Sequence, residues 1–151
     1  MRLLVVEDDV ITSHWLQLEL KRHFPDSTIQ LIRTEAEFRA RFVEIASNPP
    51  DIVILDIVLR WAEPGQVIPP TICRADVNTD EYYEAGYRCQ AMLAADERTK
   101  RVPVIFHSVL DRELEARLKE MPSNVQMISK LEVPFKTHRA NTFLEHRCRH
   151  I

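Results

Sequence analysis

Four places in this sequence combine residue types that could do chemistry together, and at each a run of apolar residues gives way to a polar group. Leu3-Leu4-Val5-Val6 is followed at once by Glu7, Asp8 and Asp9. Asp51-Ile52-Val53-Ile54-Leu55 ends in Asp56. The run through Val104-Ile105-Phe106-His107 leads to Ser108, and the one through Met127-Ile128-Ser129 leads to Lys130. Carboxylates forced together repel one another, and a chain tolerates this chiefly when a hard divalent cation lies between them. Oxygen ligands without a Cys or His cluster point to Mg²⁺. A carboxylate, a cation, a small hydroxyl and one ammonium are also the parts needed to move a phosphoryl group, as nucleophile, neutralising metal, hydrogen-bond donor and partner for the transferred oxygens. Singly, each has an ordinary reading. Asp8 or Asp56 alone reads as a helix cap or turn residue, Ser108 as a helix-start signal and Lys130 as a solvated strand end. The set is more specific than its members.

Short, branched apolar runs of this kind are the mark of strands covered on both faces inside a parallel sheet. Between the first two of the acidic ends, the spacing of Ile11, Trp15, Leu18 and Leu20 predicts a helix from Asp9 or Val10 to Phe24, stopped by Pro25, with Asp9 as its N-cap. Ser27 to Arg33 reads as a second strand, and Thr34-Glu35-Ala36-Glu37 as a capping box opening a second helix that Asn48-Pro49-Pro50 ends. After a long irregular stretch, Tyr87 to Ala95 reads as helix and Val102 to Phe106 as the fourth strand. Asp111 to Met121 reads as helix, Val125 to Ser129 as the fifth strand, and Val133 to about Cys148 as the last helix. Five alternations of strand and helix predict an α/β fold with a parallel sheet between two helical layers. Ligands in such sheets sit at the carboxyl ends of the strands, where Glu7, Asp8, Asp56, Ser108 and Lys130 all fall.

Composition narrows the function. The 151 residues suit one domain, and 45% hydrophobic with 28% charged residues argues against extended disorder. A net charge of −3 gives no surface for neutralising nucleic-acid phosphates, so direct nucleic-acid binding is disfavoured. The apolar start is too short for a signal peptide and no later run approaches a membrane span, so a cytoplasmic protein without membrane insertion is expected. Cys73, Cys89 and Cys148 lack C-x-x-C spacing and read as reduced thiols. His107, inside an apolar run, reads as a packed core histidine, and the charged tail from Glu145 to His150 as a solvated helix face.

Over nearly its whole length the chain resembles the receiver domain of two-component response regulators. The resemblance is carried by Leu3-Leu4-Val5-Val6-Glu7-Asp8, Asp51-Ile52-Val53-Ile54-Leu55-Asp56, Pro103-Val104-Ile105-Phe106-His107-Ser108 and Met127-Ile128-Ser129-Lys130. It implies a flavodoxin-like (βα)5 sandwich with strand order 2-1-3-4-5. It makes Asp56 the phosphoacceptor, Glu7 and Asp8 the acidic pair for Mg²⁺, the backbone carbonyl of Val58 a further metal ligand, Ser108 the switch hydroxyl and Lys130 the phosphate-binding ammonium. The chain also departs from the pattern. Arg60 stands where such domains usually carry Pro. Gly86 is the best match to the Gly that opens the third helix, which leaves about 22 extra residues in the loop. Leu131 rather than Pro follows Lys130, the Pro-Phe pair comes at Pro134-Phe135, and Lys136 is thereby a rival for the phosphate-binding role. Met127 stands where an aromatic switch residue is common.

The resemblance implies a stand-alone response regulator: one receiver domain over 1–151, with an inserted loop at about 60–85 and no output domain. It would take a phosphoryl group from a sensor histidine kinase or histidine phosphotransfer protein and signal through an unknown downstream protein, with a homodimer left open. Only self-phosphorylation and self-dephosphorylation chemistry is expected of it. The rivals are a metal-dependent phosphohydrolase with an aspartyl-phosphate intermediate, and a receiver-like binding module that never handles phosphate. The inserted loop, with Trp61, Val67, Ile68, Ile72, Tyr82 and Tyr83, is expected to fold largely onto the body, either as a lid or docking element beside Asp56 or as an insertion without effect on the chemistry.

Overall fold

The computed structural model describes residues 1–72, 82–109 and 121–130 of the chain. The expected helices at 111–121 and 133–148 lie almost wholly outside the described residues, as do Lys136, Pro134-Phe135 and the tail. The described elements run β1 (Arg2–Val6), α1 (Val10–His23), β2 (Thr28–Ile32), α2 (Glu35–Ser47), β3 (Ile52–Leu55), a 3₁₀ turn (Tyr82–Glu84), α3 (Ala85–Ala95), β4 (Val104–Ser108) and β5 (Val125–Ser129). Every strand pairing is parallel, and the sheet order is β2-β1-β3-β4-β5.

The alternation of side chains along each strand divides the core in two. Leu4, Val6, Val53, Leu55, Val104 and Phe106 face the layer of α2 and α3, where they meet Phe38, Ile45, Cys89 and Leu93. Leu3, Val5, Ile52, Ile54 and Ile105 face the other way, against Leu16 and Leu20 of α1. Because both faces are covered, the central strands read as unbroken apolar runs rather than as alternating ones.

The helix starts follow local chemistry. Asp9 caps α1, its carboxylate accepting from Thr12 N at 2.7 Å, and Thr34 caps α2 by accepting from Glu37 N at 3.1 Å. The Glu37 carboxylate reaches back to Arg33 N rather than to the cap itself.

Shifts of two residues from expectation fall at β4 and at the start of α3. β4 begins at Val104, two residues later than its apolar run, because Val102 N is spent in a turn on Thr99 O and Pro103 has no N–H. It then runs on to Ser108. α3 begins at Ala85, two residues earlier than read, with Gly86 inside its first turn.

Candidate active site at the carboxyl edge of the sheet

β1 pairs with β2 on one side and with β3 on the other, so the order in which strands are added changes sense between β1 and β3, and ligands of such sheets bind beyond the carboxyl ends of the strands at that point. The residues that face it hang from backbone still held by the sheet. Glu7 N donates to Ile32 O at 3.0 Å, Asp56 N to Val6 O at 2.9 Å and Lys130 N to Ser108 O at 2.9 Å. Each of these extends a ladder by one residue, and so fixes where the next side chain points.

Glu7, Asp8 and Asp56 each offer one carboxylate oxygen to a group whose members lie within 4.8 Å of one another. Lys130 comes from β5, two strands away from β3, and at about 4.8 Å per strand only a long side chain bridges that distance. Its ammonium sits 2.5 Å from Asp56 Oδ2 and 3.1 Å from Glu7 Oε1. Asp56 Oδ1 accepts from Val58 N at 3.2 Å, so the Asp56 carboxylate is held from both sides. Glu7 and Asp56 are almost fully buried.

Crowding appears in the protonation equilibria. Burial, and after it the neighbouring Asp56 charge, raises the Glu7 carboxyl to about 7 against the opposing pull of Lys130. For Lys130, burial works to lower the ammonium, but its hydrogen bond and charge contact with Asp56, and then the Glu7 charge, hold it above its usual value. His107 is pushed down to about 4 by burial and then by Lys130. Among the described residues neither of its ring nitrogens has a hydrogen-bond partner, although Nδ1 is 4.0 Å from Glu7 Oε2. It is the core histidine that its run implies.

A divalent cation suits this donor set. Glu7 Oε2 is buried without a hydrogen bond, although it lies 2.9 Å from the Lys130 ammonium. Three carboxylates crowded against one ammonium leave negative charge to be met, and hard carboxylate oxygens match Mg²⁺. Glu7, Asp8 and Asp56 would hold it.

Of the residues singled out by sequence, the structure thus brings Glu7, Asp8, Asp56 and Lys130 together. Ser108 is buried at the end of β4, where its carbonyl accepts the ladder bond from Lys130 N. Val58 is partly exposed two residues beyond Asp56. Gly86 packs on the turn at Asp56 itself: its N–H donates to Ile57 O at 2.9 Å, and a Cβ there would lie 2.2 Å from Asp56 O.

Two features escaped the sequence reading. Arg60, noted only as a departure at a proline position, pairs with Asp8 at 3.0 Å. Glu35, read only as part of a capping box, is fully buried between two guanidiniums, Arg39 of its own helix and Arg88 of α3, each at 2.6 Å. The i,i+4 spacing of Glu35 and Arg39 was a visible signal, whereas Arg88 could be found only in space.

Neither a scan against protein-family models nor a search of curated proteins finds a match to this chain. Solved structures do match. A candidate response regulator from Chloroflexus aurantiacus is 20% identical, with a TM-score of 0.65 over 95% of this chain and 97% of that one. The receiver domain of a sensor histidine kinase from Pseudomonas aeruginosa, solved with a magnesium ion coordinated in its active-site cleft, is 17% identical, with a TM-score of 0.60 over 98% and 94%. A non-phosphorylated receiver domain from Leptospira biflexa is 22% identical, with a TM-score of 0.58 over 97% and 92%. At these identities the likeness is one of fold, and across nearly the whole chain that fold is the receiver domain of response regulators.

Proposed function

We propose that the protein is a response-regulator receiver, one domain with an insertion at about 60–85, that accepts a phosphoryl group on Asp56 in a Mg²⁺-dependent reaction and acts through partner proteins. The observation that carries this reading is the placement of the buried Asp56 carboxylate beside Glu7 and Asp8 and against the Lys130 ammonium at the carboxyl edge of the sheet. In the reaction an Asp56 oxygen forms a bond to phosphorus, the bond from phosphorus to the donor's imidazole nitrogen breaks, and the histidine of the kinase or phosphotransfer protein leaves with the electron pair. Lys130, already on Asp56 Oδ2, is in place to meet the incoming oxygens, and the Ser108 hydroxyl lies at the adjacent strand end. Mg²⁺ supplies compensation for the charge gathered by the carboxylates and the phosphoryl group. Hydrolysis of the aspartyl phosphate resets the domain. The acyl phosphate carries about two negative charges where the carboxylate carried one, and this change biases the loops between two arrangements, which partners read.

Turnover as a phosphohydrolase fits less well, because that chemistry usually wants a second Asp two residues past the nucleophile, where Val58 stands. Among the described residues no helix is long and apolar enough to cross a membrane. Incubation with a small acyl phosphate and Mg²⁺, read by intact mass, is expected to add one phosphoryl group to the wild type and none to Asp56→Asn. Addition to the variant at the wild-type level overturns the acceptor assignment. No addition to either protein leaves the binding-module reading in its place.

A further inference from the structure

Arg60 stands half-exposed beside the site and is held there by several contacts. Its Nε lies 3.0 Å from Asp8 Oδ2, its backbone N–H donates to the same oxygen at 3.3 Å, and its Nη2 donates to the Asp8 carbonyl at 3.4 Å. On the far side Nη1 meets Glu63 Oε2 at 3.2 Å, and the Arg60 carbonyl accepts from Glu35 N at 3.2 Å. Asp8 is one of the three carboxylates within 4.8 Å of one another. One of the prospective cation ligands therefore already carries a permanent positive charge, which no protonation change removes.

We propose that Arg60 is a resident competitor for the divalent cation. Its guanidinium neutralises Asp8 while the cation is absent and lowers the affinity of the site when the cation arrives. The proposal rests on the reading of Glu7, Asp8 and Asp56 as a cation site. The physical reason is charge: three carboxylates facing Lys130 alone attract a divalent ion more strongly than the same three facing Lys130 and Arg60. If the cation takes the oxygen that Arg60 holds, the guanidinium must leave it. If it takes the other oxygen, the two positive charges stand on one carboxylate and repel. Both routes weaken binding. Arg60 keeps Glu63 when it lets go of Asp8, so occupation of the site is felt in the segment that follows the acceptor turn.

The test is calorimetric titration of Mg²⁺ into the full chain, comparing wild type with Arg60→Met, which keeps the apolar stem and removes the charge, and with Asp8→Asn. Arg60→Met is expected to bind Mg²⁺ about fivefold more tightly, the equivalent of about 1 kcal/mol for a half-exposed ion pair. Asp8→Asn is expected to bind far more weakly than wild type. Equal or weaker binding by Arg60→Met, with wild type binding normally and Asp8→Asn impaired, overturns the competitor role and leaves the cation site standing. Absence of binding in wild type and Arg60→Met alike removes both. Should Arg60→Met fail to fold, Arg60→Lys, which loses the fork of donors but keeps a charge, decides the matter: a smaller tightening supports the proposal, and unchanged or weaker binding overturns it.

Discussion

Replacing Gly86 with Ala sets two effects of opposite sign against each other at one atom. In an ordinary helix the change stabilises by up to about 1 kcal/mol, since Ala loses less backbone freedom than Gly. Here the added Cβ would lie 2.2 Å from the Asp56 carbonyl oxygen and 2.5 Å from Ile57 Cα, where ordinary contact begins near 3.4 Å. Both neighbours are backbone, and both belong to the turn that carries the acceptor, so neither yields by rotating a side chain. Relief requires α3 or the turn to retreat by about 1 Å, a displacement of the kind that costs ~1–3 kcal/mol when a filled interior is overpacked. It also lengthens the Gly86 N to Ile57 O hydrogen bond, now 2.9 Å. The clash wins: a net loss of about 1–2 kcal/mol is expected, read as a lower urea midpoint at unchanged slope. Because the turn moves, phosphorylation of Asp56 by a small donor is expected to slow as well. Gly65→Ala is the control. Gly65 has a φ of +80° with nothing near its prospective Cβ, so Ala there strains the backbone without touching Asp56 and leaves phosphorylation unchanged. A Gly86→Ala protein as stable as wild type, and phosphorylated as fast, refutes the close approach.

Glu35→Gln removes the anion that Arg39 and Arg88 share and is expected to cost about 2–4 kcal/mol in chemical denaturation, since it leaves the buried Arg39 guanidinium short of its anionic partner; a loss below about 0.5 kcal/mol counts against a desolvated triad. His107→Phe removes two buried nitrogens without hydrogen-bond partners and is expected to stabilise the fold by about 1–3 kcal/mol at pH 7. The gain should widen by up to about 3 kcal/mol between pH 6.5 and 4. With the folded-state value near 4, wild type meets a penalty there that rises as pH falls through the unfolded value, because the unfolded chain takes up the proton first. Glu7, raised to about 7, tilts wild-type stability the other way between about 4.5 and 7, so the difference between the two proteins is the quantity to measure. A constant difference across that range contradicts a buried neutral imidazole.

What the sequence made legible follows from how many places each signal touches. The buried strands were readable because covering both faces leaves one composition at every position from Leu3 to Val6 and from Ile52 to Leu55. The carboxylates and Lys130 were readable because each directly ends such a strand. The start of α3 was legible only through the resemblance, which puts Gly86 at the opening of the third helix: the local pattern begins at Tyr87, and the physical reason for a glycine in the first turn is Asp56 O against it. β4 slid because apolar character begins at Val102 while the ladder waits for residues whose N–H groups are free to join it. Arg60 was visible as a substitution, yet its partner Asp8 lies 52 positions away in sequence, and no periodicity connects them.

The first turn of α2 determines where this chain can grow. The N–H of Glu35 donates to Arg60 O at 3.2 Å and that of Ala36 to Trp61 O at 2.9 Å, while Thr34 serves Glu37. Donors that a helix normally leaves to water are thus met by carbonyls from the stretch just past the acceptor. The span from Asp56 to Trp61 is accordingly sewn at both ends, to β1 through Asp56 N and to α2 through these carbonyls. Its length is as fixed as that of a strand. Residues added before Trp61 would tear stitches, whereas residues added after it hang free of them, and the chain reaches its open, left-handed Gly65 only four positions on. For anyone wishing to splice a reporter or a binding peptide beside the acceptor without disturbing it, the seam lies at Gly65.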